Sequence, residues 1–329
     1  ERRDRTTHQP VRHRSSLMGL HRLLGMRIGV PDPAGLADFY GELRLDHDGT
    51  GGFGGTDGGT QVQVEEHPFR RLLEVRIGAD DEATIADVGR RLAERGLAAK
   101  VTDSTVSVVA PAPSVTFTVP VAARWSPPTT PSAPIDNRPG STVRRNARAP
   151  GVFGAPRPPR RLGHIVIGTP DIARTRDVLT EALGFKISDQ AEGIIAFLRC
   201  STDHHNVALV GSPVPMLQHY SWECDDVDHV GHTATELVRA DPGRHAWGFG
   251  RHFIGSNYYW YLHDPSGSFI ELYSDMDVID DDESWERSGR TEFGFEHVAN
   301  SWGPNIPAEF IAPADLDDLR AAWASHGPT

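Results

Sequence analysis

Apolar and polar positions along the chain repeat one layout. In LGHIVIGTPDIARTRDVLTEALGF an apolar strand meets a Thr-Pro-Asp turn and then an amphipathic helix. LLGMRIGVPDPAGLADFYGELRL, near the start, has the same order. Aligning Ile167-Gly168 on Ile28-Gly29 also aligns Asp171 on Asp32, each placed to cap the helix that follows. A third copy begins at LLEVRIGADDEATIADVGRRLAERG and a fourth at LQHYSWECDDVDHVGHTATELVRA. Short alternating runs such as GIIAFLRC and HNVALVG follow the helices and predict three strands each. The unit is β-α-β-β-β, about 50 residues long, and it occurs four times. One unit cannot bury its own sheet. The pattern therefore predicts an α+β fold in which paired units curve into cups.

Proline divides the chain. Residues 126–160 contain SPPTTPSAP and RPPRR, which favour neither helix nor a central strand, and they read as a linker between halves of similar length. The expected organisation is a disordered basic extension (1–17, with Met18 as a candidate start), a first domain (18–125), the linker, a second domain (161–275) and a tail (276–329). Formal net charge is −12 over 329 residues, which argues against a nucleic-acid partner. No apolar run approaches the ~18 residues of a membrane helix. The two cysteines, Cys200 and Cys224, make no disulfide framework and read as buried strand residues. The cytoplasm is the expected location and a closed homo-oligomer the expected state.

The four copies differ at one informative position. His164 of the third and His219 of the fourth fall where the first has Gly25 and the second Glu74. Alternation puts Leu162, His164 and Val166 on one strand face, and Leu217, His219 and Ser221 on another. In SFIELYSD the same rule groups Phe269, Glu271 and Tyr273, leaving Ile270 and Leu272 for the core. A carboxylate within such a strand costs several kcal/mol unless it is paired or bound to a cation. Two neutral imidazoles carry no charge to offset it, so a divalent metal is the economical partner. Two histidines and one carboxylate form the ligand set of non-haem Fe(II) enzymes and also suit Mn(II).

The segment GRHFIGSNYYWYLHDPSGSFIELYSD (250–275) resembles the signature of the type I extradiol ring-cleaving dioxygenases, a branch of the vicinal oxygen chelate superfamily. The matching positions are Gly250, His252, Tyr261, Asp264, Pro265, Gly267 and Glu271; Trp260 departs from the aliphatic residue or Phe usual there. LGHIVIGTPD and LQHYSWEC match the segments that carry the family's histidine ligands, at His164 and His219. DHHNVAL resembles the strand with a catalytic histidine, which falls on His205, leaving His204 as a bystander by alternation. The resemblance implies four βαβββ modules paired into two vicinal oxygen chelate domains, each an open cup-like β-barrel, with metal only in the second. It also implies O2-dependent cleavage of a catechol chelated at Fe(II). His205 would be the acid–base group on the O2 side, with His252 and Tyr261 bonded to the substrate oxygens. Family members that act on carboxylated catechols can use an arginine where this chain has Trp247. Phe197, Trp247 and Phe253 are instead expected to form an aromatic wall for an uncharged or aryl-bearing catechol.

Other features carry less. Asp264-Pro265-Ser266-Gly267 is expected to be a hairpin turn that sets the register of the Glu271 strand. The acidic run DVIDDDESWE (277–286) is expected to be a solvated loop, and GTGGFGGTDGG (49–59) a flexible hairpin. WGPNIPAEFIAP (302–313) is placed to cover the second domain or a subunit contact, followed by a terminal helix, DLDDLRAAWASH. Two alternatives stand beside ring cleavage: an O2-independent metal-dependent isomerase or lyase of the same superfamily, and a non-catalytic protein that sequesters an aromatic compound.

Overall fold

A computed structural model describes residues 19–126, 136–289 and 300–327. The basic extension, linker residues 127–135 and tail residues 290–299 and 328–329 lie outside the described residues. The first half holds β1 (Leu20–Val30), α1 (Pro33–Glu42), β2 (Asp46–His47), β3 (Gly52–Gly54), β4 (Val62–Glu66), β5 (Arg71–Ala79), α2 (Glu82–Glu94), β6 (Ala99–Val101), β7 (Thr105–Ala110) and β8 (Val115–Pro120). The second half repeats this as β9 (Arg161–Thr169), α3 (Ile172–Asp177), β10 (Lys186–Ala191), β11 (Ile195–Arg199), β12 (Val207–Gly211), β13 (Met216–Glu223), α4 (Val227–Ala240), β14 (His245–Arg251), β15 (Tyr258–His263) and β16 (Phe269–Ser274). A π-type turn, Val178–Leu183, prolongs α3.

The four β-α-β-β-β units form two eight-stranded mixed sheets, ordered β2-β3-β4-β1-β5-β8-β7-β6 and β10-β11-β12-β9-β13-β16-β15-β14. Neither closes into a barrel. Within each sheet the first strands of two units run antiparallel side by side, and each pairs in parallel with the last strand of its own unit. Aspartate caps open all four helices. Asp32, Asp81, Asp171 and Asp226 accept from the backbone N–H of Gly35, Thr84, Arg174 and His229, each satisfying an amide the helix leaves unpaired.

Bulges modify the expected alternation. Between His164 and Leu162 the β9–β13 ladder shifts, and Leu162 turns into the main core while His164 and Val166 stay on the concave side. A second shift between Leu217 and His219 sends Leu217 to the core and turns both Gln218 and His219 toward the cup. The histidines are therefore neighbours across one strand ladder.

One apolar core joins the halves. At its centre the Tyr40 hydroxyl donates to that of Tyr220 at 3.0 Å, and Tyr220 donates to Asp264 at 2.9 Å. Asp264 opens the expected turn, accepting the amides of Ser266 and Ser268. Gly267 sits there at φ +87°, which suits glycine. The acidic run departs from expectation because it also carries apolar residues. Ile279 is buried, Asp282 pairs with Lys186 and Arg199, and the Trp285 indole donates to the Ser188 carbonyl at 3.0 Å. The tail forms α6 (Ala308–Ile311) and α7 (Leu316–His326), after α5 (Asp282–Ser284) in the acidic run.

Tyr220→Phe would remove the partner of the Tyr40 hydroxyl and of Asp264 Oδ2 together. We expect a loss of about 1–3 kcal/mol, read as a lower urea midpoint with unchanged slope. A loss under ~0.5 kcal/mol would show that the tyrosine relay does not tie the halves together.

Candidate metal centre and its cavity

Three neighbouring strands bring the sequence-derived ligands together. His164 comes from β9, His219 from β13 and Glu271 from β16, with Ser221 of β13 paired to both His164 and Glu271 in register. Their ligand atoms lie within 4.8 Å of one another, the one such group of three found among the described residues. Glu271 Oε2 is 2.8 Å from His164 Nε2 and 3.7 Å from His219 Nε2, and its side chain is 1% exposed. Burial pushes the Glu271 carboxyl up, but the His164 and His252 imidazoles outweigh it and hold the group well below the carboxylate range. Burial lowers the His219 pKa to about 3, leaving a neutral imidazole donor.

The surrounding shell fixes these groups. Ser221 Oγ donates to Glu271 Oε2 at 2.6 Å, and Asn257 Nδ2 donates to Oε1 at 3.0 Å. The Gln218 amide oxygen accepts from His219 Nδ1, which leaves Nε2 as the lone-pair nitrogen facing the carboxylate. Gln218 Nε2 in turn donates to the Phe310 carbonyl at 2.9 Å, tying the ligand to the tail. His164 Nδ1 is buried with no hydrogen-bond partner. The donor set fits a divalent cation: two imidazole nitrogens converge on one deeply buried carboxylate oxygen, and an ion there would offset its buried charge.

The first half shows why it lacks such a site. His219 lies opposite Val166 and Glu74 lies opposite Arg27, so the registers confirm that Glu74 is the counterpart of His219. Thr118, opposite Arg76, is the counterpart of Glu271, and its hydroxyl donates to Glu74 at 2.5 Å. Gly25 stands for His164; a Cβ there would meet the Gln61 carbonyl oxygen at 2.4 Å. Backbone occupies the space a ligand would need.

A cavity of about 350 Å³ opens on the metal centre. His205, His252 and Tyr261 line it with the three ligands. The His205 ring lies 4.3 Å from that of His164, tilted by 55°, and burial with neighbouring imidazoles keeps its pKa well below the ordinary value. His252 Nε2 and the Tyr261 hydroxyl lie 2.9 Å apart, and burial raises the tyrosine pKa. Phe197 and Trp247 line the wall, the Trp247 ring stacking on Tyr261 at 5.3 Å and 13°. Phe253 does not belong to it. That residue follows the end of β14 with 42% of its surface exposed, and Ile254 takes the inward place. Arg251 is turned away as well, held by Asp275 at 2.8 Å and Tyr258 at 2.8 Å.

The tail closes the cavity, as one of its two expected roles required. Ile306, Phe310 and Ile311 line it, and the Phe310 ring lies 4.7 Å from Tyr261 and 5.7 Å from His219. Sequence reasoning missed Gln218, Ser221 and Asn257, because a polar residue that supports a ligand has no spacing of its own. It also set His204 aside, although His204 Nδ1 lies 3.0 Å from His205 Nδ1. Residues 204 and 205 precede β12 in irregular backbone, and only His205 reaches the cavity.

Residues 161–272 match the model of the Glyoxalase/Bleomycin resistance protein/Dioxygenase superfamily. The chain is 38% identical over 155 residues to "Metapyrocatechase 2" of Cupriavidus necator, covering 46% of this chain and 47% of that protein. It thus spans about half the length of the curated relatives it matches. The fold extends further. Homoprotocatechuate 2,3-dioxygenase from Arthrobacter globiformis aligns over 91% of this chain and 94% of its own, with a TM-score of 0.68 at 19% identity. The Mn(II)-bound glyoxalase from Novosphingobium aromaticivorans aligns over 88% and 93%, with a TM-score of 0.66 at 22% identity. The resemblance read from the signature segments is borne out by these matches.

Gln218→Leu removes the acceptor that sets the His219 tautomer while keeping the side chain's bulk. Affinity for a divalent ion should fall about 10–100-fold, measured by calorimetric titration with Zn(II). Unchanged affinity would mean that Gln218 serves only to anchor the tail.

Proposed function

We propose that this protein cleaves the ring of an uncharged, apolar-substituted catechol with O2, beside the diol, at an Fe(II) ion held by His164, His219 and Glu271. The observation that carries this reading is that the ligand triad, His205 and the His252–Tyr261 pair all line one largely apolar cavity. A further curated relative, from Rhodococcus jostii, is named an iron-dependent extradiol dioxygenase, which supports the same chemistry. When bound, the metal supplies the Lewis-acid and one-electron chemistry that lets a chelated diol react with O2. Mn(II) suits the same donors.

The protein groups have separable tasks. His205, neutral through burial, accepts a proton from a diol hydroxyl and later returns it. His252 and Tyr261, already hydrogen-bonded to one another, hold the substrate oxygens and donate to charge that develops there. The surrounding apolar side chains exclude water from this exchange. The reaction opens the ring to a hydroxymuconic semialdehyde-type product.

Substrate class follows from the wall. Among the described residues no lysine or arginine lines the cavity, whereas Ile195, Phe197, Met216, Trp247 and Phe310 do. A carboxylated catechol would bury its charge without a partner there, a cost of several kcal/mol. The second half, 161–275, acts as the catalytic domain and the first, 18–125, as its metal-free support. The two cysteines are buried and unbridged, which supports a reducing compartment such as the cytoplasm. Among the described residues no helix is long and apolar enough to cross a membrane.

Anaerobically Fe(II)-loaded protein should consume O2 stoichiometrically with 2,3-dihydroxybiphenyl and give a yellow product. Its kcat/KM for 3,4-dihydroxyphenylacetate should be at least ~10-fold lower, equivalent to about 1.4 kcal/mol. His205→Phe should keep iron and bind the catechol while kcat falls about 10²–10⁴-fold. Bound iron without O2 uptake across aryl and alkyl catechols would overturn the assignment.

A further inference from the structure

Beyond the cavity, a line of buried polar groups continues from His205 with no part yet in the chemistry. His204 Nδ1 lies 3.0 Å from His205 Nδ1, and His204 Nε2 lies 2.8 Å from Asp189 Oδ2. Asp189, His204 and His205 are 3%, 0% and 4% exposed. A hydrogen-bonded carboxylate, imidazole and imidazole in series, all out of water, is costly to assemble by chance.

The backbone is shaped to hold it. The β10–β11 ladder shifts between Ile187 and Asp189, inserting Ser188. The bulge turns two successive side chains onto one residue: Ser188 Oγ donates to the His204 carbonyl at 2.5 Å, and Asp189 takes its ring. The His204 amide donates to the Asp277 carbonyl at 2.9 Å, and the Trp285 ring stands edge-on to the imidazole at 5.4 Å. Gly255, at φ +77°, packs against both histidines; a Cβ there would lie 3.5 Å from His204 Nδ1 and 3.6 Å from His205 Cε1. Three segments thus fix a side chain that never reaches the cavity.

The donor order follows from the chemistry of the groups. An ionised Asp189 accepts only, so His204 carries its proton on Nε2 and its Nδ1 is an acceptor. His205 must then carry its proton on Nδ1, which leaves Nε2 without one. We propose that Asp189 and His204 are positioning residues that hold His205 in this tautomer, with Nε2 presented to the substrate as a proton acceptor. The inference rests on the ring-cleavage reading only for the identity of the proton donor. In the step it supports, a diol O–H bond breaks and an Nε2–H bond forms. The Nδ1–H bond stays intact, and the positive charge on His205 is stabilised through His204 by Asp189. Return of the proton from Nε2 restores the starting tautomer. The acidic run takes part indirectly, since Asp277 and Trp285 keep His204 in place.

Asp189→Asn tests this with little change of shape. The new amide can donate to His204 Nε2, which reverses the chain and moves the His205 proton from Nδ1 to Nε2. Long-range ¹H–¹⁵N spectra of the full-length, metal-free, histidine-labelled protein read the tautomer directly, with His205→Asn to assign the signals. We expect an Nδ1–H form in the wild type and an Nε2–H form in Asp189→Asn. In the iron-loaded variant kcat should fall about 10²–10⁴-fold, with iron content and catechol affinity unchanged. His204→Gln, which keeps an acceptor for His205 Nδ1–H, should restore more turnover than His204→Phe. A wild-type His205 protonated on Nε2, or an unchanged tautomer in Asp189→Asn, overturns the proposal whatever reaction the protein catalyses. A switched tautomer with unchanged kcat overturns the role as well. If the wild type turns over no catechol, the ring-cleavage reading fails while the spectra still decide the positioning role.

Discussion

A carboxylate with 1% of its side chain exposed sets the terms for this molecule. Glu271 sits within a strand whose flanking Ile270 and Leu272 belong to the main core, so it cannot turn to water without unpacking the sheet. Its charge has to be met on the spot by imidazoles, by Ser221 and Asn257, and by a divalent cation when one is bound. Everything placed around it serves that need or exploits it. The bulge at Gln218 aims a second imidazole at the carboxylate, and the tail holds Gln218 in turn.

The two halves show one scaffold with and without this constraint. Strand register equates His164, His219 and Glu271 with Gly25, Glu74 and Thr118. In the first half a hydroxyl and Arg27 satisfy the lone carboxylate, and close backbone fills the space of the missing histidine. That half keeps the packing of the repeat and joins the second through a common core and the Tyr40–Tyr220–Asp264 chain. Among the described residues only the second half carries the ligand triad.

Much of this was legible in the residues because it is periodic. Four apolar strands, each followed by an aspartate cap and an amphipathic helix, leave few other folds, and the ligand triad emerged from asking which repeat positions differ. Where alternation was trusted too far, it failed at bulges: Leu162 and Leu217 went to the core, and the bulge at Ser188 turned its neighbour Asp189 inward onto His204. An inserted residue leaves no mark in a hydrophobic pattern. Nor could spacing show that Phe253 leaves the wall, or that Ile279 and Trp285 anchor an acidic run to the domain. Those outcomes depend on partners more than ten residues away.

The most direct test of this account is thermal unfolding of the metal-free protein titrated with a divalent ion, alongside Glu271→Gln. If the buried charge is what the cation answers, the wild type should bind one ion per chain. It should gain about 2.7 kcal/mol of stability when free metal is 100 times Kd. Glu271→Gln, with no charge to compensate, should gain almost nothing. Equal stabilisation of both proteins, or none of the wild type, would contradict the account.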